Sequence, residues 1–395
     1  MNQESGASPG IVICEPQCAG FEHAVPNAAL LQTAREAFPA HSLYFAAESE
    51  HLAAVRSSGD NISPPFSEVP IAIPSTTVGI IARAMGEQRT IRAALRDAKG
   101  VNAGLLLFAS ISLPGLWALH AHLRTMRRRP VVLAVVHGML AALERPPRSI
   151  PTRCAGLRQA LRWPLPTGMR LISLGDSIHA HIAETAPSAA RHFLPLDLPY
   201  TWAQKEGVKS APETPPCFGY IGVANRFKGF DRFVRVARAA RERGVEARFL
   251  LAGFVPEGMA IPEADGVVEG LGHTPLSREE YAARIAEMDF VLWTGEPDHY
   301  RLTASASFLD ALSFVKPGIY LKNPYIAHYA ERMGDIGALC DSESALIDAV
   351  CEAPDAARYA RQCENIVTGR RLFEPATLAP RLRDIALEAG FNPDA

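Results

Sequence analysis

Residues 222–231 read GVANRFKGFD, and they join a strand to a helix. The apolar run CFGYIG ends at Gly222. From Gly229 onward, Phe230, Phe233, Val234 and Ala237 fall at i, i+3, i+4 and i+7, the spacing of one buried helical face. Between strand and helix a short turn carries Arg226 and Lys228. Glycine at such a turn lets the backbone approach a ligand closely. A helix N-terminus adds unpaired N–H groups and the positive end of its dipole. With two cations beside it, the turn suits a phosphate. A strand, a glycine turn and a helix also make the repeating unit of doubly wound domains, where a basic turn is often merely solvated. The stretch therefore argues fold class first and ligand second.

The same rhythm extends in both directions. Downstream come strand ARFLLAG, a helix opened by the capping-box pair Ser277 and Glu280 and running to Met288, strand DFVLWT, helix Ala304–Val315 and strand GIYLK. A last helix, about Thr377–Ala389 and closed by Gly390, is free to pack back on the first domain. Upstream, IVIC from Ile11, SLYFAA from Ser42, LLLFA from Leu105, VVLAVV from Val131 and RLISL from Arg170 read as strands. Ala24–Ala37 reads as a helix, Ser57–Pro74 as a loop, and Asp176 as a helix cap. Pro199, Pro212, Pro215 and Pro216 punctuate a polar stretch that reads as a linker. The expected organisation is an α/β protein of two Rossmann-like domains facing each other across a cleft. Residues 1–200 form the N-terminal domain, 201–216 the linker, 217–371 the C-terminal domain and 372–395 the returning helix.

Composition narrows the function classes. A chain of 395 residues with 48% hydrophobic and 21% charged residues suits two globular domains. A net charge of −2 gives no global field for nucleic acid. The run Leu105–Leu119 is broken by Ser110, Ser112, Pro114 and Gly115, so it reads as a strand and a helix rather than a membrane span. MNQESGASPG lacks the pattern of a signal peptide, which points to the cytoplasm. Seven cysteines without CxxC spacing read as reduced thiols. Cys14, Cys18 and His23 fall short of four local metal ligands, so no metal is expected.

From Gly222 to Asp341 the order of motifs resembles the C-terminal domain of family 4 glycosyltransferases, which have the GT-B fold. That family pairs a glycine-ended strand with a basic KG turn, then an LLAG-like strand, a glycine turn before a helix, and an acidic motif preceding A-x-x-x-x-x-P. Here these are Gly222–Gly229, LLAG ending at Gly253, LGHTPLSREEY from Leu271, and ASASFLDALSFVKPGIY from Ala304. The resemblance implies that Arg226 and Lys228 hold the diphosphate of a nucleotide sugar, with Gly272 and His273 against the base. Asp310 stands where the family's second glutamate falls and can accept from ribose hydroxyls. Leu302 occupies the place of the first glutamate, and Glu296 is the nearest upstream. Ser305 and Ser307 open a helix that can meet a phosphate.

In the N-terminal half the resemblance is weaker. EPQCAGFEH follows the first strand and brings Glu22 and His23 to its C-terminal end, where ligands of open sheets collect. His137 follows VVLAVV, and in the family a histidine there lies beside the transferred sugar. Glu22, His23 and His137 are the candidates to take an acceptor's proton; a lone histidine after a strand is as often a satisfied loop residue.

Outside the resemblance, residues 121–170 hold ten arginines and one acid, Glu144. Arg127, Arg128 and Arg129 precede a strand; Arg153, Arg158, Arg162 and Trp163 lie on a Pro-bounded segment that reads as a short basic amphipathic helix. Such a surface suits an anionic membrane or a lipid-diphosphate acceptor, and a solvated face is its plain alternative. No aromatic stacking set accompanies the arginines, which argues against nucleic acid. No DxD motif is present, so the expected activity is a metal-independent hexosyltransferase without cofactor, and the resemblance implies that it retains anomeric configuration. Its partners would be a nucleotide sugar and a carbohydrate or lipid-linked acceptor of bacterial surface or exopolysaccharide assembly, on the inner face of a membrane. The rivals are a sugar-nucleotide epimerase or phosphorylase on the same fold, and a degenerate, non-catalytic binder.

Overall fold

The structure, a computed structural model, describes residues 9–58, 66–74, 80–144, 156–202, 209–259, 264–352 and 354–394. It divides into two compact units. One comprises the chain up to Thr201 together with the segment from Leu372; the other is Trp202–Arg371.

The first unit holds a seven-stranded sheet in the order β3-β2-β1-β4-β5-β6-β7. Its strands are β1 Gly10–Cys14, β2 Leu43–Ala47, β3 Ser67–Pro70, β4 Ala103–Phe108, β5 Val131–Val135, β6 Met169–Ser173 and β7 Phe193–Pro195. All pairs are parallel. Helices Ala24–Ala37, Ser49–Ser58, Ile80–Gly100, Leu113–Thr125 and Asp176–Thr185 make the crossovers. Because helices cover the sheet, its interior strand β1 is apolar throughout: Ile11 stands beside Leu43 and Leu105, and Ile13 beside Phe45 and Leu107.

Two local expectations are corrected. Ser57–Pro74 is not all loop, since it contains the end of helix Ser49–Ser58 and the strand β3. SEVP has no apolar face and runs largely exposed along the sheet edge, where Pro70 costs little in pairing. Asp176 stands in the first turn of its helix rather than at the cap, which Gly175 occupies with φ 116°. The acid therefore acts on the helix dipole, not as a hydrogen-bonding cap.

Helix Pro375–Ala389 lies against helix Ala24–Ala37, where Arg383 Nη1 donates to Ala37 O at 3.1 Å. Beyond it Phe391 packs on Phe38, and His41 Nε2 bonds Pro393 O at 2.9 Å.

The second unit holds a parallel sheet in the order β12-β11-β10-β8-β9. Its strands are β8 Cys217–Ile221, β9 Arg248–Ala252, β10 Phe290–Trp293, β11 Gly318–Leu321 and β12 Gly337–Cys340. Helix Phe230–Glu242 buries Phe230, Phe233, Val234 and Ala237, the face read from their spacing. Ser277 and Glu280 form both bonds of the capping box on helix Arg278–Glu287.

Each sheet reverses its strand order beside its first strand: between β1 and β4, and between β8 and β10. Loops leaving the C-terminal ends of such strands diverge, and ligands of open α/β sheets bind in the crevice they leave.

Candidate active site

In the second unit the residues at that reversal form a corner that gathers most of the candidate donor-site residues. Gly222 follows β8 with φ 106°, and Gly253, just after β9, approaches it so closely that a Cβ on Gly253 would lie 1.9 Å from Gly222 O. The turn beyond is stiff. Asn225 Oδ1 accepts from Lys228 N at 2.8 Å, and Tyr220 OH donates to Lys228 O at 3.1 Å. Gly229 has φ 74°, and a Cβ there would meet Thr294 O at 1.9 Å, so only glycine lets this turn pack on the loop after β10. The Lys228 ammonium consequently lies over Gly222, where a Cβ would be 3.5 Å from Nζ. Burial lowers the pKa of Lys228, and the carboxylate of Asp310 opposes that shift. Arg226 and Phe227 point into solvent, Phe227 being 71% exposed.

Opposite this turn, Ser305 caps helix Ala306–Ser313 by accepting from Phe308 N at 3.2 Å. Its Oγ also accepts from Trp293 Nε1 at 3.3 Å and lies 3.2 Å from Ser307 Oγ. Asp310, one turn further on, accepts from Tyr281 OH at 2.8 Å. A small recess between turn and helix is lined by Lys228, Ser307, Thr294, Trp293 and Tyr300. Gly222, Lys228, Ser305, Ser307 and Asp310 are therefore gathered at one corner, with Arg226 at its rim. Glu296 sits in the adjoining loop, where it accepts from Arg232 Nη2 at 2.9 Å and its N–H donates to Phe227 O at 3.2 Å. Leu302 is 2% exposed and belongs to the core. Gly272 and His273 lie on the far side of β9: Gly272 O accepts from Val255 N at 2.8 Å, and His273 Nδ1 donates to Val255 O at 3.0 Å.

Trp293, Tyr300 and His299 stand at or near this corner with no sequence motif to mark them. Trp293 and Tyr300 meet edge to face at 4.5 Å. Burial, and then the charge of Lys228, lower the pKa of His299. The signal available was Trp293 closing a strand; the short 3₁₀ turn His299–Arg301 that presents the other two has no periodicity to read.

The first unit has its own cluster at the C-terminal edge. Glu15, fully buried, accepts from Gln17 N at 2.9 Å, Cys18 N at 3.2 Å and Asn27 Nδ2 at 3.2 Å, and also from Ser110 Oγ. Asn27 Nδ2 donates as well to His51 Nε2 at 2.9 Å. The ring must then carry its proton on Nδ1, which donates to Gly20 O at 2.8 Å. This chain of bonds holds the loop after β1, with Gly20 and His23 left-handed at φ 52° and 57°. The His23 ring lies 5.6 Å from that of His137, so the loops after β1 and β5 meet there. Burial, then Glu15 and Glu22, raise the Cys18 pKa, so its thiol donates to His23 Nδ1 at 3.4 Å. A His23 ring that accepts at Nδ1 presents Nε2 to the loop after β5. Glu22 is exposed.

Cys18, His23 and Glu15 could each offer one atom to a metal within 4.8 Å of one another, and Cys14 is not among them. The described cysteines are free thiols.

Arg127, Arg128 and Arg129 stand on the exposed turn entering β5, and Arg158, Arg162 and Trp163 precede β6. Arg153 lies outside the described residues. Instead of the expected amphipathic helix, the described part contains one helical turn, Leu157–Ala160, tied down by Arg158 Nε donating to Leu143 O at 2.6 Å.

No family model matches the chain, and no curated protein matches it. Solved structures match over nearly its whole length. The Anabaena protein HepE, in complex with UDP and glucose, superposes with a TM-score of 0.65 at 11% identity, covering 96% of this chain and 100% of that one. Sucrose-phosphate synthase from Thermosynechococcus elongatus gives 0.63 at 14%, over 96% and 98%. WaaG, a glycosyltransferase involved in lipopolysaccharide biosynthesis, gives 0.60 at 14%, over 95% and 99%. The likeness is one of fold: this chain has the two Rossmann-like α/β units of GT-B glycosyltransferases.

Proposed function

We propose that the chain is a hexosyltransferase that moves a sugar from a nucleotide-diphosphate donor to an acceptor hydroxyl without a metal ion. The observation that carries this reading is the corner at the β8–β10 reversal, where the Lys228 ammonium, Asp310 and a serine-capped helix converge. Breaking a glycosidic bond to a diphosphate develops negative charge on the leaving oxygen. Lys228 and the N–H groups of helix Ala306–Ser313 offset that charge from fixed positions, and Arg226 reaches it from the rim. Asp310, held by Tyr281, accepts from ribose hydroxyls. In the first unit His137 takes the acceptor proton, and His23 orients the substrate. We assign retention of configuration and, as acceptor, a lipid-linked saccharide of bacterial surface or exopolysaccharide assembly at the cytoplasmic face of a membrane. The complex of HepE with UDP and glucose supports UDP-hexoses as the donors to try first.

Binding of UDP and UDP-sugars by thermal shift tests the donor site, since ligand at a hundred times its Kd adds about 2.7 kcal/mol. Lys228→Ala and Arg226→Ala should each weaken donor use by about 1.5–3 kcal/mol with the fold unchanged. Unaltered turnover in both overturns the diphosphate assignment. EDTA should leave turnover intact, and rescue by Mg²⁺ or Mn²⁺ would overturn the metal-free step.

The burial of Leu302 favours one rival reading, a protein that binds sugar nucleotides without transferring the sugar. Nucleotide stabilisation with no UDP release from any donor, whatever the acceptor, would establish it.

A further inference from the structure

The arginines of the first unit form one patch on the edge of its sheet opposite the candidate catalytic loops. Arg124 through Arg129 lead into the start of β5, Arg158 and Arg162 precede the start of β6, and Arg191 precedes the start of β7. His137 and the loop after β1 follow strand ends. The strands between are parallel, and five residues of β5 at about 3.3 Å each separate the two edges by roughly 16 Å.

Hydrogen bonds make the patch continuous. Arg124 Nη2 donates to Pro164 O at 3.2 Å, and Arg191 Nη2 to Arg162 O at 3.5 Å, so two guanidinium groups grip the chain on either side of Trp163. Arg129 Nε donates to Met126 O at 3.0 Å. These acceptors are neutral carbonyls, and among the described residues no carboxylate pairs with any of these arginines. Glu144, the lone acid of the segment, bonds His181 at 2.5 Å instead. Trp163 stands 55% exposed amid this charge.

We propose that this edge docks on an anionic lipid bilayer, with the arginines against headgroups and the Trp163 indole at the interface. An interfacial surface needs uncompensated basic charge and an amphipathic aromatic ring held outward, and both are present. A duplex would need guanidinium groups spaced along a groove, and a single strand would need several stacking rings. The proposal rests on the membrane-facing part of the function above and not on its donor chemistry. It separates docking from catalysis: the acceptor's sugar must reach across the depth of the sheet from the bilayer.

Co-sedimentation with phosphatidylcholine vesicles, with and without phosphatidylglycerol, tests it. The native chain should bind the anionic vesicles and not the neutral ones. Binding should weaken as the Debye length falls from about 30 Å at 0.01 M salt to 8 Å at 0.15 M. Arg127, Arg128 and Arg162 make no side-chain hydrogen bond among the described residues. Replacing all three by glutamine should lower partitioning about a hundredfold, roughly five-fold each, and leave UDP binding unchanged. Trp163→Ala should lower it further. Equal binding to both vesicle types, no binding to either, or tighter binding to duplex DNA than to anionic vesicles overturns the proposal. Vesicle binding by a chain that binds no sugar nucleotide would sink the transferase reading and leave docking standing.

Discussion

Burial disfavours the charged form of Lys228, and a diphosphate bound beside it would restore that form. Donor affinity should therefore fall as pH rises through the lowered pKa of this ammonium. Lys228→Arg, charged throughout, should flatten the alkaline limb. Calorimetric UDP affinity at several pH values reads the difference, and parallel curves for the two proteins would remove Lys228 from the site. Lys316 offers a stability test of the same kind. It is 4% exposed, donates to Ala286 O and Met288 O, and burial lowers its pKa from 10.5 to about 8. The unfolded chain thus binds the extra proton between those values, so this group's contribution to stability rises with pH across that window. Urea denaturation at pH 7.5 and pH 10 should find wild type gaining on Lys316→Met at the higher pH; an unchanged gap would refute the shift. At this scale the sequence disclosed charge beside glycine, as at Lys228. It did not disclose Tyr281 holding Asp310, because that contact joins residues 29 apart. Nor did it disclose the Glu15–Asn27–His51 relay, whose members share no motif.

Helix Phe230–Glu242 depends on a glycine that its periodicity does not mention. Gly229→Ala would place a methyl group 1.9 Å from Thr294 O at φ 74°. It should cost at least about 2 kcal/mol and abolish UDP binding, as the Lys228 turn can no longer sit on the β10 loop. Equilibrium unfolding with a parallel UDP titration checks both effects. Ser277→Ala is the contrasting case: it removes a capping box whose two bonds involve none of the corner's side chains and should cost about 1 kcal/mol with UDP affinity unchanged. Elements with an apolar face were legible. Helix Ile80–Gly100 has one too, Ile91, Ala94, Leu95 and Ala98, diluted among polar and small residues. Strand β3 has none, since an exposed edge needs only backbone pairing.

Across the whole molecule, alternating strands and helices announced parallel sheets, and the reversal of strand order follows from how crossovers wind. Which loops meet over the reversal is a property of pairing between distant segments, and no single residue reveals it. The returning helix Pro375–Ala389 is a test at this scale. It buries Leu378, Leu382 and Ile385 and covers helix Ala24–Ala37. A chain ending at Glu374 should lose amide protection in helix Ala24–Ala37 and along β1 while β8–β12 keep theirs. Hydrogen exchange read by mass spectrometry distinguishes this from uniform loosening, which would mean that the helix supports both units alike.

That returning helix also sets a timetable. Domains commonly fold in the order in which they leave the ribosome. Here the unit begun first lacks a wall of its core until residue 389 has emerged, whereas Trp202–Arg371 is continuous. We expect the later-made unit to become protease-resistant first on stalled nascent chains, with the earlier one waiting, its apolar helix face open to chaperones. Resistance of the first unit in chains stalled before Pro375 would show that it closes unaided.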